Sequence, residues 1–520
     1  MFWHPFLVGS QTSRVAFQHS RNRSPVSDEA GRPDRKKFTM SVGDVDVRDV
    51  GISAIEIYFP RNVVNQKDLE QFDKCSPGKY TIGLGQEQMG FCGDNEDIVS
   101  LSLTVTDALL RNYNIDPSSI GFLAVGTETL IDKSKSVKTE LMQLFGDNFD
   151  IEGVDVKNAC FGGTQAVFHA VDWIYANYGT ERRNAIAVLA DIAVYEPGPA
   201  RPTGGAGAIA VLITPNAPIA FDRGLRGTHM ANTWDFYKPI VSRGTEYPVV
   251  DGPVSLHSYM MALDGCYRAY KEKAAKIYGQ DISLASFSAA MFHSPFTRMV
   301  QKALARLTYR DYEGGRTEYQ TSYSKLSLLS PSSFEDREVM KCLLKGSEEE
   351  WKAKTAPYLE LNRRIGNMYT PSLFAQLIGY LASGHSDAQN RVLFFAYGSG
   401  SAAAMFSASI DVSSEPLVRM VEVSRNAIAR LEDRCIFTPE NYTEILKLRE
   451  DFLSSGVPTT PKCSFPEHPA SSLFPGTYFL VAMDEKYRRT YDRTSLSDHS
   501  LAHSNGCVNG IDSTNGNIGV

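Results

Sequence analysis

The sequence predicts a layered α/β fold, and three observations carry that prediction. After Met40, short apolar runs alternate with segments of helical spacing, the order expected when helices pack on a sheet. The runs are continuous rather than alternating, as in strands covered on both faces. The pattern also occurs twice in outline. Each time a strand ends on a chemically reactive residue type, and a Gly-rich turn later joins two strands.

The first predicted strand is "VGISAIEIYF" (50–59) and the second is "GFLAVGTET" (121–129). In "NACFGGTQAVFHAVDWIYANYG" a turn leads into a helix, with Val167, Val171 and Ile174 at helical spacing and Gly179 as the expected stop. Strands follow at "AIAVLADIAVY" (185–195) and "GAIAVLI" (207–213), with "PTGGAGA" between them. The second half repeats the series with "FSAAMFHS" (287–294), "RVLFFAYGSG" (391–400) and "AAAMFSASI" (402–410). Residues 311–365 are charged and irregular and read as an insertion or helical excursion. From Glu415 two amphipathic helices precede "SLFPGTYFLVAMDEKYRRTYDR". The expected organisation is an N-terminal half over 46–220, a C-terminal half over 221–493, and extensions at 1–45 and 494–520. The last of these is rich in Ser, Asn, Gly and His, a composition that favours disorder.

A chain of 520 residues is long enough for two core-forming units. Its net charge of −7 argues against nucleic acid as a partner, since phosphate affinity comes from lysine and arginine. No apolar run approaches the roughly 20 residues of a membrane-spanning helix. Eight cysteines without a single CxxC indicate neither a zinc site nor a disulfide framework, and suit a reducing compartment. Arg14, Arg21 and Arg23 lie in an acid-free, serine-bearing stretch similar to a mitochondrial transit peptide. Because "HPFLVGSQTS" makes a poor amphipathic helix, the stretch reads instead as a disordered extension, with Met40 an alternative start.

Cys160 stands between an alanine and a phenylalanine, ahead of Gly162 and Gly163 and a helix. A buried structural cysteine needs no such setting. At a helix N-terminus, partial positive charge would favour a thiolate and free amides could bind an oxyanion. His293 ends a strand and precedes a helix whose Phe296, Met299, Val300, Ala303, Leu304 and Leu307 form an apolar stripe. Arg298, Lys302 and Arg306 recur every four residues on another face, a cationic row suited to a phosphorylated substrate. Glu128 ends an apolar strand, where a carboxylate with little solvent could exchange protons near neutrality. The turns "PTGGAGA" and "YGSGSAA" match neither a Rossmann fingerprint nor a P-loop, and read equally as oxyanion donors or tight hairpins.

Several long segments together resemble the hydroxymethylglutaryl-CoA synthase family of the thiolase superfamily. They include "GKYTIGLGQEQMGF", "VGTETLIDKSKSVKT", "NACFGGT", "ADIAVY", "ARPTGGAGA", "RGLRGTHM", "FHSPF", "GNMYT", "YGSG" and "MDEKYRRTY". The resemblance runs from about Gly51 to Arg493 and is to the animal type. It implies a thiolase-like five-layered αβαβα sandwich of two similar halves, a homodimer, and no cofactor beyond the CoA substrates. It further implies that Cys160 takes acetyl from acetyl-CoA, that Glu128 removes a methyl proton, and that His293 assists at the carbonyl of acetoacetyl-CoA. Asp191, Thr203 and Asp235 match polar positions around the acetyl group, Asn367 and Tyr369 match positions lining the acetoacetyl site, and Asn158 matches a substrate-binding position. The polar C-terminal tail is similar to that of the family's cytoplasmic form, which implies the cytoplasm, with the mitochondrial matrix as the alternative. Arg298 and Lys302 match the basic helix that meets CoA phosphates, with Arg298 where lysine is usual. Backbone amides of Cys160 and Ser399 match the oxyanion hole. Phe161 replaces a common tyrosine. Thiolases and ketoacyl synthases pair their cysteine with other partners than this glutamate. A Cys-His hydrolase leaves the basic helix without a purpose, and a non-catalytic CoA binder has no need of Cys160, Glu128 and His293 together.

Overall fold

The apolar runs become strands because their residues can be covered on both faces of a sheet. In the computed structural model, which describes residues 46–239, 246–279, 281–316, 319, 323, 336–384, 390–462 and 473–496, they form one hydrogen-bonded sheet. Its strands are β1 (Gly51–Tyr58), β2 (Ile120–Gly126), β3 (Asp155–Val156), β4 (Asn184–Ala193), β5 (Gly205–Thr214) and β6 (Ile219–Phe221) from the first half. The second half supplies β7 (Gly227–Met230), β8 (Ala289–Phe292), β9 (Arg391–Gly398) and β10 (Ala402–Ile410). The order across the sheet is β8-β9-β10-β6-β1-β5-β4-β2-β3, with β7 pairing β10. The short β6 joins the halves, since it pairs with β1 on one side and β10 on the other.

The doubled sequence pattern is a doubled topology. In the first half β2 runs parallel to β3 and β4, and β4 returns antiparallel to β5. In the second, β8 runs parallel to β9, which returns antiparallel to β10. Glu128, Cys160 and His293 follow the C-terminal ends of β2, β3 and β8, all members of these parallel pairs. In open α/β sheets that end is where a crevice forms.

Helices cover the sheet. The first, α1 (Ile98–Asn112), starts at a capping box in which Asp97 accepts from the amides of Val99 and Ser100 while Ser100 accepts from the Asp97 amide. The nucleophile helix α2 (Gly162–Glu181) packs on β2 and β4. It passes the predicted stop at Gly179 and ends where Arg182 turns left-handed, because Gly179 meets no neighbour that requires a turn there. In the second half α3 (Gly252–Tyr278), α4 (Thr297–Glu313) and α5 (Ser372–Ser383) pack on β7 to β10. The predicted stripe of α4 is buried in a core formed by Tyr259, Leu263, Phe292 and Phe395. Within 311–365, the described residues are more regular than the sequence suggests: helices cover Arg337–Gly346, Glu348–Lys354 and Glu360–Ile365.

The two predicted C-terminal helices span Glu415–Ala429 and Pro439–Ser454, and the last motif is a hairpin of Tyr478–Met483 with Arg489–Arg493. It is tied to the start of α1. The Leu480 amide donates to Asn95 O at 2.7 Å, and Arg489 and the Tyr491 hydroxyl both reach Asp97. Arg449 is buried in an ion pair with Glu246 and also donates to the carbonyls of Gly93 and Glu96. The extension 1–45 and the tail beyond 496 lie outside the described residues.

Candidate active site

Between β3 and α2 the chain makes the sharp turn that carries Cys160. Its φ of 50° is in the left-handed region, a conformation that costs a non-glycine residue roughly 1–2 kcal/mol. Neighbours hold it there. The Cys160 amide donates to Glu128 Oε1 at 3.0 Å, and the Gly162 amide donates to Asn158 O at 3.2 Å. Asn158 Nδ2 donates to the Ala159 carbonyl at 2.9 Å. Gly398, the last residue of β9, presses on the turn so closely that a Cβ there would sit 1.7 Å from Ala159 O and 2.6 Å from the Phe161 amide nitrogen. The "YGSG" glycine is thus a seat for the cysteine turn.

Glu128 lies two residues beyond β2 with a side chain only 6% exposed. Its Oε1 lies 3.6 Å from Cys160 Sγ as well as accepting the Cys160 amide, and its Oε2 forms an ion pair with Lys238 Nζ at 3.2 Å. Beneath it, the fully buried Asp191 organises the loop: Oδ1 accepts from the Thr127 hydroxyl, the Glu128 amide, and the Thr129 amide and hydroxyl. Asp191 Oδ2 accepts from the amide and hydroxyl of Thr370. Burial and the nearby Glu128 charge push the Asp191 carboxyl up to about 6.

The cysteine departs from one expectation. Burial, then the charges of Glu128 and Asp191, push its thiol well above the ordinary range, and Lys238 only partly opposes them. With burial and two carboxylates raising it, the thiol keeps its proton near pH 7. The Cys160 amide, expected to be free for an oxyanion, is instead donated to Glu128.

The second half meets the site through Gly398, Phe236 and Tyr369; among the described residues the His293 side chain shares no hydrogen bond or ion pair with Cys160 or Glu128. His293 is buried; its amide donates to Phe395 O at 2.7 Å, and its carbonyl accepts from the Tyr259 hydroxyl at 2.8 Å. Burial pushes its imidazole down to about 3, so it is neutral near pH 7. Asp235 accepts from the Tyr397 hydroxyl and the Gly400 amide, each at 2.9 Å, and so fixes the turn containing Ser399. Asn367 Oδ1 accepts from the Tyr369 amide and the Ser372 hydroxyl, while the Asn367 amide donates to Thr203 O. Tyr369, at φ 54°, packs with Tyr195, Ala193 and Phe236 around Cys160. Two non-glycine residues in left-handed backbone therefore lie side by side at this site.

Arg298 and Lys302 lie on α4, whose start is tied to the Leu84–Gln86 loop through the Arg298 and Thr297 amides. Among the described residues they share no hydrogen bond or ion pair with Glu128, Cys160 or Asp191. Burial, then the Arg298 charge, lower the Lys302 ammonium. Arg306 does not belong to their row: it is fully buried and paired with Asp264, so a spacing of four did not keep all three cations on an open face. Among the described residues no group of three or more His, Cys, Asp or Glu could hold a metal ion.

Comparison with known proteins decides what this geometry belongs to. Residues 46–218 match the family model "Hydroxymethylglutaryl-coenzyme A synthase N terminal", and residues 219–494 match its C-terminal counterpart. The chain belongs to the hydroxymethylglutaryl-CoA synthase family. It is 53% identical over 457 residues to the Caenorhabditis elegans hydroxymethylglutaryl-CoA synthase, covering 87% of this chain and 96% of that one. It is 45% identical over 481 residues to the cytoplasmic enzyme of Mus musculus (89% and 90% covered) and 45% over 466 residues to the mitochondrial enzyme of Homo sapiens (86% and 89%). Its fold matches MvaS in complex with 3-hydroxy-3-methylglutaryl coenzyme A, with a TM-score of 0.72, 31% identity, and 87% of this chain and all of that one covered. The fold is thiolase-like α/β, and the activity is that of a hydroxymethylglutaryl-CoA synthase, an acyltransferase acting on CoA thioesters.

Within this synthase fold, four residues around the cysteine escaped the sequence reading: Lys238, Phe236, Tyr195 and Thr370. "DFYKP" held the signal for two of them, since its Asp235 was already singled out and Lys238 follows three residues later. For Gly398→Ala we expect a folded chain whose acetyl-cysteine formation falls at least about 100-fold, because even a methyl group must displace the nucleophile turn and a misplacement of about 1 Å costs that much. Rapid-quench labelling with radioactive acetyl-CoA measures it, and wild-type labelling would refute the seating role of Gly398.

Proposed function

We propose that Cys160, Glu128 and His293 divide the synthase reaction into acetyl transfer, condensation and hydrolysis, and the observation that carries this is the Glu128 carboxylate touching both the amide and the thiol of Cys160. In the first step Cys160 Sγ attacks the carbonyl of acetyl-CoA. Its proton passes to Glu128 and then to the departing CoA sulfur, leaving an acetyl thioester on the cysteine and a free carboxylate. Covalent capture of this kind splits one hard step into easier ones.

In the second step Glu128 removes a proton from the methyl group of the acetyl-cysteine. The carbanion attacks C3 of acetoacetyl-CoA, and the new alkoxide takes the proton back from Glu128. A neutral His293 donates a hydrogen bond to the C3 oxygen as negative charge develops there, which suits an imidazole held near a pKa of about 3. Water then cleaves the thioester, giving hydroxymethylglutaryl-CoA and restoring the Cys160 thiol. Acetyl transfer moves the Cys160 amide from Glu128 Oε1 to the thioester oxygen, with the Ser399 amide as second donor. A donor of this type is worth roughly 3 kcal/mol. Asn158, Thr203, Asn367 and Tyr369 border the bound acyl groups, Asp191 and Asp235 hold the loops that carry them, and Arg298 and Lys302 bind the CoA phosphates. Phosphate oxygens between those two cations relieve their mutual repulsion.

We further propose a homodimer formed through β3. That strand ends the hydrogen-bonded path, and beside it Phe149 and Val154 are 79% and 66% exposed. An uncovered strand edge with apolar flanks is a template for pairing. The proposed location is the cytoplasm, supported by the polar composition of 494–520. Its relatives include both cytoplasmic and mitochondrial enzymes, so a mevalonate-type and a ketone-body-type role both fit, and the cytoplasmic location selects the first.

Cys160→Ala is expected to take up no radioactive acetyl, whereas Glu128→Ala is still acetylated, at a reduced rate because water must then carry the thiol proton, and condenses at least about 100-fold more slowly. Labelling of the alanine variant, or normal condensation without Glu128, overturns the respective assignment. Sedimentation of the full chain should give twice the 57.5 kDa chain mass, with Phe149→Lys shifting it toward monomer; a wild-type monomer at micromolar concentration excludes the dimer. Subcellular fractionation should recover the chain with cytosolic markers, and recovery in the mitochondrial matrix reverses the choice of location.

A further inference from the structure

Lys238 has no part in the chemistry above, yet among the described residues its ammonium is the cation that touches the base. It lies 3.2 Å from Glu128 Oε2, on the side of the carboxylate away from Cys160. Two aromatic faces confine it: the Tyr369 ring centroid is 4.6 Å from Nζ and that of Phe236 is 5.6 Å away. Both rings also pack around Cys160. A cation held by two ring faces and one carboxylate is fixed in position rather than swinging in solvent.

We propose that Lys238 is the counter-ion and positioning residue for Glu128, turning its carboxylate so that Oε1 faces the acyl group on Cys160 during carbon–carbon bond formation. The inference rests on the assignment of Glu128 as the base. Electrostatics give the reason. Asp191 lies under Glu128, so without a counter-ion two carboxylates would share one site poor in water, an arrangement that favours protonation of one of them. The groups facing this pair are the Cys160 thiol, the Asp191 carboxyl and the hydroxyls of Tyr195 and Tyr369, and the negative charge of Glu128 bears on all four. Lys238 acts in the opposite direction on Cys160 and Asp191, and also acts on the carboxyl of Glu246. Before acylation the other oxygen of Glu128 accepts from the Cys160 amide; once that amide serves the thioester oxygen, the Lys238 ion pair is the anchor that remains on the carboxylate.

The test compares Lys238→Met and Lys238→Arg with wild type, measuring acetyl-cysteine formation and the pH profile of condensation separately. For the methionine variant, acetylation stoichiometry should stay near wild type. The acid limb of kcat for condensation should move up by at least about one pH unit, a loss of about tenfold below the limb, while KM for acetoacetyl-CoA changes by less than about threefold. The arginine variant should restore the limb because it restores the charge. An unmoved limb in a methionine variant that melts like wild type overturns the inference, as does a uniform loss at every pH. Should the methionine variant fail to fold, an arginine variant with a displaced limb overturns it and one with the wild-type limb supports it. Normal condensation by Glu128→Ala would instead remove the base assignment itself, whatever the lysine variants do.

Discussion

The buried carboxylate of Asp191 joins the parts on which this site depends. Its two oxygens accept from two different stretches of chain, the Thr127–Thr129 loop after β2 and Thr370 at the entry to α5. One of those stretches carries Glu128 and the other carries Tyr369. A charged group out of water is tolerated only when its lone pairs are satisfied, so the two loops are held by the need to satisfy Asp191. Their relative placement then follows from hydrogen-bond lengths rather than from soft packing.

The two glycine-rich turns have complementary roles. Gly398 of "YGSG" receives the nucleophile turn, and Gly205 of "PTGGAG" receives the Asn367 backbone, where a Cβ would meet Asn367 O at 2.7 Å and its amide nitrogen at 2.9 Å. Each half of the chain therefore offers a side-chain-free surface to the reactive or binding segment of the other half or of its own neighbour. The nearest neighbours of both glycines are backbone atoms. Close approach of backbone to backbone is sufficient, and it supports the left-handed conformations of Cys160 and Tyr369, which the surrounding structure must over-determine to persist.

Charge in the site is arranged to keep protons at hand. The thiol is held protonated by burial and by two carboxylates, and the imidazole is held neutral by burial alone. An exposed thiolate would be a reactive nucleophile at all times. A thiol beside a carboxylate becomes one only as its proton leaves, and the same carboxylate is then free for the acyl group that replaces it. Lys238 sets a positive charge against the other oxygen of that carboxylate.

The amino-acid sequence by itself determined the strand segments, because continuous apolar runs have few other stable surroundings, and it marked Cys160, Glu128 and His293 by their positions at strand ends. It also carried the motifs that belong to the synthase family. Tertiary structure alone decided which polar groups meet. Lys238 and Asp191 lie 47 residues apart in sequence yet act on one carboxylate, and Arg306, which shares its spacing with two cations of α4, turns inward to Asp264. The state of the thiol was decided at the same level: local sequence supplies a helix terminus, but the burial and the charges of Glu128 and Asp191 that raise the thiol come from other segments of the chain. Periodicity reports which side of an element is apolar; the partners of a buried charge depend on contacts that only the folded chain creates.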